Sequence, residues 1–319
     1  MTEAEVMFAS PLIVLCPGRS FSSIVCAMLG QHPQLFGLLE TQLLARETMA
    51  EWWEDFGPNI HSHGLSRCVA EIIYGEQSPQ AVKGARRWLR QRCDCDTGEV
   101  FRELAEQVYP LALVEKSPML CYRMSHMERA LRLFPSARFL HLSRNPVDYG
   151  KSLLAFFEKR GPRRPNLAAA LLDNPESIFF GMVDDEGDPP ILDPQRSWYL
   201  RHSGILAFTC RLADGQGLMI RGEDILAEPA TTLERVAGWL GLRTDGAAIE
   251  PMLHPEQSPF ACLGPWNARF GGDPAFLRDP VLRPYQAQRA RLEEPVPWRE
   301  DGALFNDEVR ELANRLGYR

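Results

Sequence analysis

Six residues, Pro11-Leu12-Ile13-Val14-Leu15-Cys16, form an apolar run that breaks at once into Pro17-Gly18-Arg19-Ser20-Phe21-Ser22-Ser23 and then into Ile24–Gly30. A run that is apolar at every position leaves no solvent face, so it predicts a strand buried on both sides, the habit of parallel sheets. Ile24–Gly30 reads as a helix ending at glycine. Strand, polar loop and helix in that order set backbone N–H groups at a helix N-terminus, where an anion is stabilised. Phosphate loops add short hydroxyls and one cation, and Arg19, Ser20, Ser22 and Ser23 are of those types. Taken alone, the segment is equally well a serine-rich turn capping a helix, with Arg19 in solvent.

The same alternation continues along the chain. Ala112-Leu113-Val114-Glu115-Lys116 reads as a second core strand, broken by Ser117-Pro118. A helix with apolar Met124, Met127, Leu131 and Phe134 ends before Pro135. Arg138–Leu142 is a third strand, Asn145-Pro146 opens the next helix with proline near its first position, and Gly217–Ile220 is a fourth strand. Helices are predicted over Gln195–Leu212, over Ala230–Leu240 with Gly241 as cap, and over Leu304–Leu316. Strands alternating with helices imply an α/β fold, P-loop-like and three-layered, with a mostly parallel central sheet flanked by helices. We expect a single domain over 1–319, with a helical insertion at about 41–110 and a Pro-, Gly- and Asp-rich, lid-like insertion at about 159–194. Proline and glycine recur from Pro251 to Trp298, which suggests loops packed over a site.

Composition narrows the function classes. The formal net charge is −7, which argues against a general nucleic-acid binder but leaves room for a local basic pocket. No apolar run reaches the roughly 18–20 residues of a membrane span, and Met1–Glu5 lacks a basic leader, so a cytoplasmic protein is expected. Eight cysteines without a paired C-x-x-C fit inert thiols better than disulfides. Cys93-Asp94-Cys95, with His61, His63 and Cys68, matches no zinc spacing, and no metal is expected.

A second anion-binding element lies at the third strand. In Leu140–Ser152, Arg144 stands at the strand end and Ser152 lies in the following helix, eight positions on. An arginine fork at the carboxyl end of a parallel strand, with a hydroxyl nearby, suits a second phosphate. A strand-end arginine paired with Asp148 is the competing explanation. No G-x-x-x-x-G-K-[ST] segment occurs, which counts against a P-loop kinase of the nucleoside-kinase type.

With these residues in place the sequence resembles the sulfotransferases that use 3′-phosphoadenosine 5′-phosphosulfate (PAPS). Their 5′-phosphosulfate loop, P-[RK]-S-G-[TS]-[TS], is approached by Arg19–Ser23, and their R-x-P-x-D-x-x-x-S motif is matched by Arg144, Pro146, Asp148 and Ser152. His32-Pro33 with Glu40-Thr41 resembles the H-P…E-T segment of tyrosylprotein sulfotransferases and their bacterial relatives. Glu115-Lys116-Ser117-Pro118, Arg221-Gly222-Glu223-Asp224 and Phe270-Gly271-Gly272-Asp273-Pro274 are similar to three further segments, in family order from about residue 11 to 275. The pattern is also similar to sulfotransferase domains of curacin- and olefin-synthase-type polyketide assembly lines. Three positions depart from it: Gly18 stands before Arg19 where proline is usual, Phe21 replaces the loop glycine, and Gly222 stands where an aromatic is common.

The resemblance implies a PAPS-dependent O-sulfotransferase that produces 3′,5′-ADP and sulfates a hydroxyl of a small metabolite or of a carrier-tethered acyl chain, without a metal. It implies Glu40 as general base, since a carboxylate partly desolvated beside an acceptor hydroxyl has the basicity that role needs. Arg19 and Lys116 would hold the sulfonate and the bridging oxygen. Arg19, Ser20, Phe21, Ser22, Ser23, Arg144 and Ser152 would bind the nucleotide, with Arg269 and Gly271 reaching it from a late loop. His202 and His254 are rival bases, and Trp52, Trp53 and Trp88 candidate walls of an acceptor pocket. A non-catalytic nucleotide-binding module with a degenerate loop is the remaining alternative.

Overall fold

The computed structural model describes residues 9–160, 174–184, 191–285 and 291–318. The chain runs β1 (Ala9–Leu15), α1 (Ser22–Leu29), β2 (Leu35–Gly37), α2 (Met49–Phe56), α3 (Ser62–Tyr74), α4 (Pro79–Arg90), α5 (Thr97–Gln107) and β3 (Ala112–Glu115). It continues through α6 (Met124–Leu133), β4 (Arg138–Ser143), α7 (Pro146–Arg160), β5 (Val183–Asp184), β6 (Ile191–Leu192), α8 (Gln195–Thr209) and β7 (Gly217–Arg221). The last helices are α9 (Gly222–Ala227), α10 (Pro229–Leu240), α11 (Gly246–Ile249), α12 (Pro274–Arg278) and α13 (Asp307–Arg315).

The main sheet has five strands in the order β2-β3-β1-β4-β7, and every described pairing in it is parallel. Successive side chains of a strand point to opposite faces, so β1 divides its residues between two cores. Leu12 and Val14 join α1 and α10 on one face, and Ile13 and Leu15 join α3, α5, α6 and α8 on the other. This is the three-layer α/β arrangement that the unbroken apolar runs predict. A third cluster gathers α7, α8 and α13 around Tyr149, Trp198 and Phe305. Among the described residues no helix is long and apolar enough to cross a membrane.

Four predicted strands are present, and a fifth, β2, was not anticipated. Its three residues are too few to show a pattern, and it is held at the sheet edge by parallel pairing with β3. Between β2 and β3 lie the four helices α2–α5. The helical boundaries follow local chemistry: Thr48 and Asp96 form capping boxes with Glu51 and Glu99, and Gly241 ends α10 at φ 73°. Of the predicted lid at about 159–194, residues 161–173 and 185–190 lie outside the described residues. Its described remainder includes the short antiparallel β5–β6 pair and the turn segment 174–181.

After β1 the chain turns to one side to build β2 and β3, then crosses to the other side for β4 and β7. The carboxyl end of β1 is therefore the point where strand order reverses, flanked by the ends of β3 and β4. In open parallel sheets, this is where a crevice opens.

Candidate active site

That crevice is a cavity of about 880 Å³. Gly18–Ile24 after β1, Arg144 after β4, Ser152 of α7 and Gly271–Pro274 line one half. Glu40 lines the cavity, and Lys116 after β3 is not in its lining but lies buried behind it, paired with Glu40.

The β1–α1 loop is bent sharply. Arg19 and Phe21 both adopt left-handed backbone, at φ 71° and 60°. Arg19 Nε donates to Ser152 Oγ at 3.1 Å, and its Nη1 pairs with Asp273 Oδ2 at 3.1 Å. Its carbonyl accepts from Arg144 Nη1 at 2.7 Å. The two anion-binding elements thus touch, and the Arg144–Ser152 spacing delivers both side chains to one place. Asp273 is held from its own side, because its N–H donates to Ser23 Oγ at 3.0 Å and its Oδ1 caps α12.

Lys116 is 2% exposed and its Nζ lies 2.7 Å from Glu40 Oε1 and 3.4 Å from Ser23 Oγ. Burial pulls the ammonium's pKa down, but the Glu40 carboxylate, with smaller help from the neighbouring Cys26 and Cys16, holds the group above its ordinary value. Backbone packing fixes Glu40: its N–H donates to the Gly271 carbonyl at 2.8 Å, and α3 presses on it through Gly64. A Cβ at Gly64 would stand 2.0 Å from the Glu40 carbonyl oxygen, and one at Gly271 would stand 2.8 Å from Gly64 Cα. Only glycines allow these segments so close.

Behind this pair lies a second carboxyl, Glu115. It is fully buried and accepts from Thr41 Oγ1 at 2.9 Å, and burial pushes its pKa from 4.5 up to about 7. Trp52 Nε1 donates to the Thr41 carbonyl at 2.9 Å, so Trp52 braces the Glu40–Gln42 segment from the core. Neither Trp52 nor its neighbours Trp53 and Trp88 line the cavity; Phe56 and Ile60 from the same region do.

The other half of the cavity is more apolar, with Met119, Tyr122, Phe156, Ile178 and Phe179 on its walls. The segment 174–180 that supplies part of it is anchored by Arg201, which is buried in α8. Its Nη2 donates to the carbonyls of Pro175 (2.9 Å) and Ser177 (3.0 Å), and its Nη1 to that of Tyr122 (3.1 Å). Arg46, Asp55 and Glu176 form an ion-paired group on the same wall. Sequence reading missed Tyr285, Gln42 and Arg201, which only position in space marks, while segment 174–180 falls within the lid-like insertion expected at about 159–194.

Several predicted residues lie elsewhere. Arg269 is exposed and outside the cavity lining, because the turn Gly264–Arg269 closes on itself through Gly264 N and the Arg269 carbonyl. His202 is fully buried against His141, with their ring nitrogens 2.8 Å apart. His254 is half-buried and paired with Glu256 and Glu250. Neither histidine lines the cavity, whereas Glu40 does. The eight cysteines are free thiols. Among the described residues no group of three or more His, Cys, Asp or Glu is placed to hold a metal.

The donor set suits a polyanion. Ser20 Oγ and Arg144 Nε are buried with no hydrogen-bond partner among the described residues, and both residues line the cavity. A buried donor left unpaired costs about 1–3 kcal/mol, and an anion's oxygens would recover it.

A family model described as "Sulfotransferase family" matches residues 11–246. The chain is similar in fold to a sulfotransferase domain from the curacin biosynthetic pathway (21% identity, TM-score 0.71, 98% of this chain and 99% of that one). It is equally similar to one from the Synechococcus PCC 7002 olefin synthase (21% identity, TM-score 0.71, 100% and 98%). A search of curated proteins found no match. The family model covers most of the chain, including the loop after β1, Lys116 and Arg144, and the chain belongs to the sulfotransferase family.

Proposed function

We propose that this chain transfers a sulfuryl group from PAPS to a hydroxyl acceptor by in-line displacement. The observation that carries the reading is the convergence of Arg19, Arg144 and Ser152 on one side of the Glu40–Lys116 pair, with an apolar pocket on the other. Arg144 and Ser152 would hold the 3′-phosphate, and Arg19 with the Ser20–Ser23 hydroxyls and N–H groups the 5′-phosphosulfate. PAPS would supply the activated sulfuryl group. Lys116, kept cationic by its surroundings, neutralises charge that develops on the leaving oxygen, and Glu40 takes the proton of the attacking hydroxyl. The cavity walls exclude water and align the acceptor, which is where much of the acceleration of such displacements arises. The acceptor's apolar body, whether a small metabolite or a carrier-tethered acyl chain, would lie against Met119, Tyr122, Ile178 and Phe179.

Calorimetry with 3′,5′-ADP and ATP in metal-free buffer tests this. Tight 3′,5′-ADP binding, no ATP binding and loss of the signal in Arg144→Ala are expected. ATP binding, or an Arg144→Ala chain with unchanged affinity, overturns the reading. A chain that binds 3′,5′-ADP yet sulfates no hydroxylated acceptor would be a nucleotide-binding module.

A further inference from the structure

Phe21 and Gly222 both depart from the family pattern, and the fold places them against each other. A Cβ at Gly222 would stand 2.6 Å from Phe21 Cδ2, so the ring occupies the space that any larger residue at 222 would fill. The Arg144 guanidinium carbon lies 4.1 Å from the ring centroid, and Tyr285 meets the ring edge-on at 5.8 Å. Phe21 takes this seat with a left-handed backbone, φ 60°, which is strained for any residue but glycine. Glycine would carry no such cost, so the ring must contribute something that glycine cannot.

The contribution is visible at Arg144. A guanidinium is planar, and its donors point where its plane points. Here one edge is fixed by Nη1 donating to the Arg19 carbonyl at 2.7 Å, and one face rests on the Phe21 ring. Nε, on another edge, is buried without a partner among the described residues. We infer that Phe21 is a positioning residue that sets the plane of Arg144 and so aims its unpaired edge at the 3′-phosphate of the nucleotide, with Gly222 as the notch that admits the ring. The inference rests on the PAPS reading above. It deepens that reading by assigning discrimination for the 3′-phosphate to an aromatic–glycine pair as well as to Arg144 and Ser152.

The test is calorimetry of 3′,5′-ADP and 5′-AMP on wild type, Phe21→Gly, Phe21→Tyr, Gly222→Ala and the Phe21→Gly/Gly222→Ala double variant. Thermal melts accompany it to show that each chain folds; Phe21→Gly relieves backbone strain. A ring–guanidinium contact of this kind corresponds to about a tenfold loss, so Phe21→Gly should weaken 3′,5′-ADP by about that factor and 5′-AMP by less than about twofold. Phe21→Tyr should keep the wild-type preference, and Gly222→Ala should reproduce the loss by displacing the ring. The double variant should be no worse than Phe21→Gly, since no ring remains to displace. Equal loss on both nucleotides would place Phe21 against the base or the 5′ end and overturn the inference, as would additive losses in the double variant. Wild type that binds neither nucleotide would instead sink the PAPS reading on which the inference stands.

Discussion

Lys116 Nζ and Glu40 Oε1 stand 2.7 Å apart although 76 residues separate them in the chain, and the contact joins the end of β3 to the segment after β2. In the proposed displacement each partner would serve a different oxygen, the cation the leaving one and the carboxylate the attacking one. In Glu40→Gln the shape is kept and the basicity is lost. Sulfation turnover should fall by roughly 10²–10⁴-fold with 3′,5′-ADP affinity within about threefold of wild type, as read by steady-state kinetics and calorimetry. Near wild-type turnover would remove Glu40 from the role of base.

Gly64 gives a packing prediction. A methyl there meets the Glu40 carbonyl oxygen, so Gly64→Ala should cost about 1–3 kcal/mol of stability by overpacking and lower kcat by moving the Glu40 backbone. Gly204, in the middle of α8, has open space around it, and Gly204→Ala should stabilise by up to about 1 kcal/mol with kcat unchanged. Denaturant melts with parallel kinetics read both.

Glu115 makes stability depend on pH near neutrality. Its pKa is 4.5 ordinarily and about 7 in the fold, so the folded chain binds the proton more tightly. The stabilisation is present below about pH 4.5 and is lost as pH rises through 7. Glu115→Gln is neutral at every pH. Its stability relative to wild type should therefore grow between pH 5 and pH 8, by up to about 3 kcal/mol, in denaturant titrations at the two pH values. A difference that does not change with pH would contradict this.

The His141–His202 pair has the opposite sign. Burial lowers His141 from 6.5 to about 3 and His202 well below its ordinary value, so the unfolded chain binds more protons in that window. Stability is full above about pH 6.5 and is lost as pH falls toward 3, by up to about 1.4 kcal/mol per pH unit for each histidine. His141→Gln can keep a nitrogen near the position that bonds His202 without titrating. Its acid-unfolding curve should be shallower than that of wild type between pH 6 and 4, and an unchanged slope would count against the assignment.

Much of the sheet was legible in sequence because a strand buried on both faces must be apolar at every position, as Leu12–Cys16 and Leu113–Val114 are. β2 was not, since Leu35–Gly37 becomes a strand only by pairing with β3. Arg19, Glu40, Lys116 and Arg144 were legible because each sits at or near a strand end within a short motif, and strand ends of a parallel sheet share one edge. Arg269 was placed by motif proximity alone, and a closed turn carries it into solvent. The tryptophans show the same limit: Trp52 faces the core behind the site, while Phe56, one turn on, faces the cavity.

By itself the sequence determined the layers, the order of the strands along the chain and the chemical types at each strand end, because periodicity and local turn chemistry depend on near neighbours. Tertiary structure decided which of those residues meet. The reversal of strand order at β1 brings Lys116 and Arg144 to either side of Arg19, and glycine contacts at 64 and 271 press Glu40 onto Lys116. The notch at Gly222 receives Phe21. These are distances between residues dozens to hundreds of positions apart, set by how closely two backbones can approach, and no local pattern encodes them.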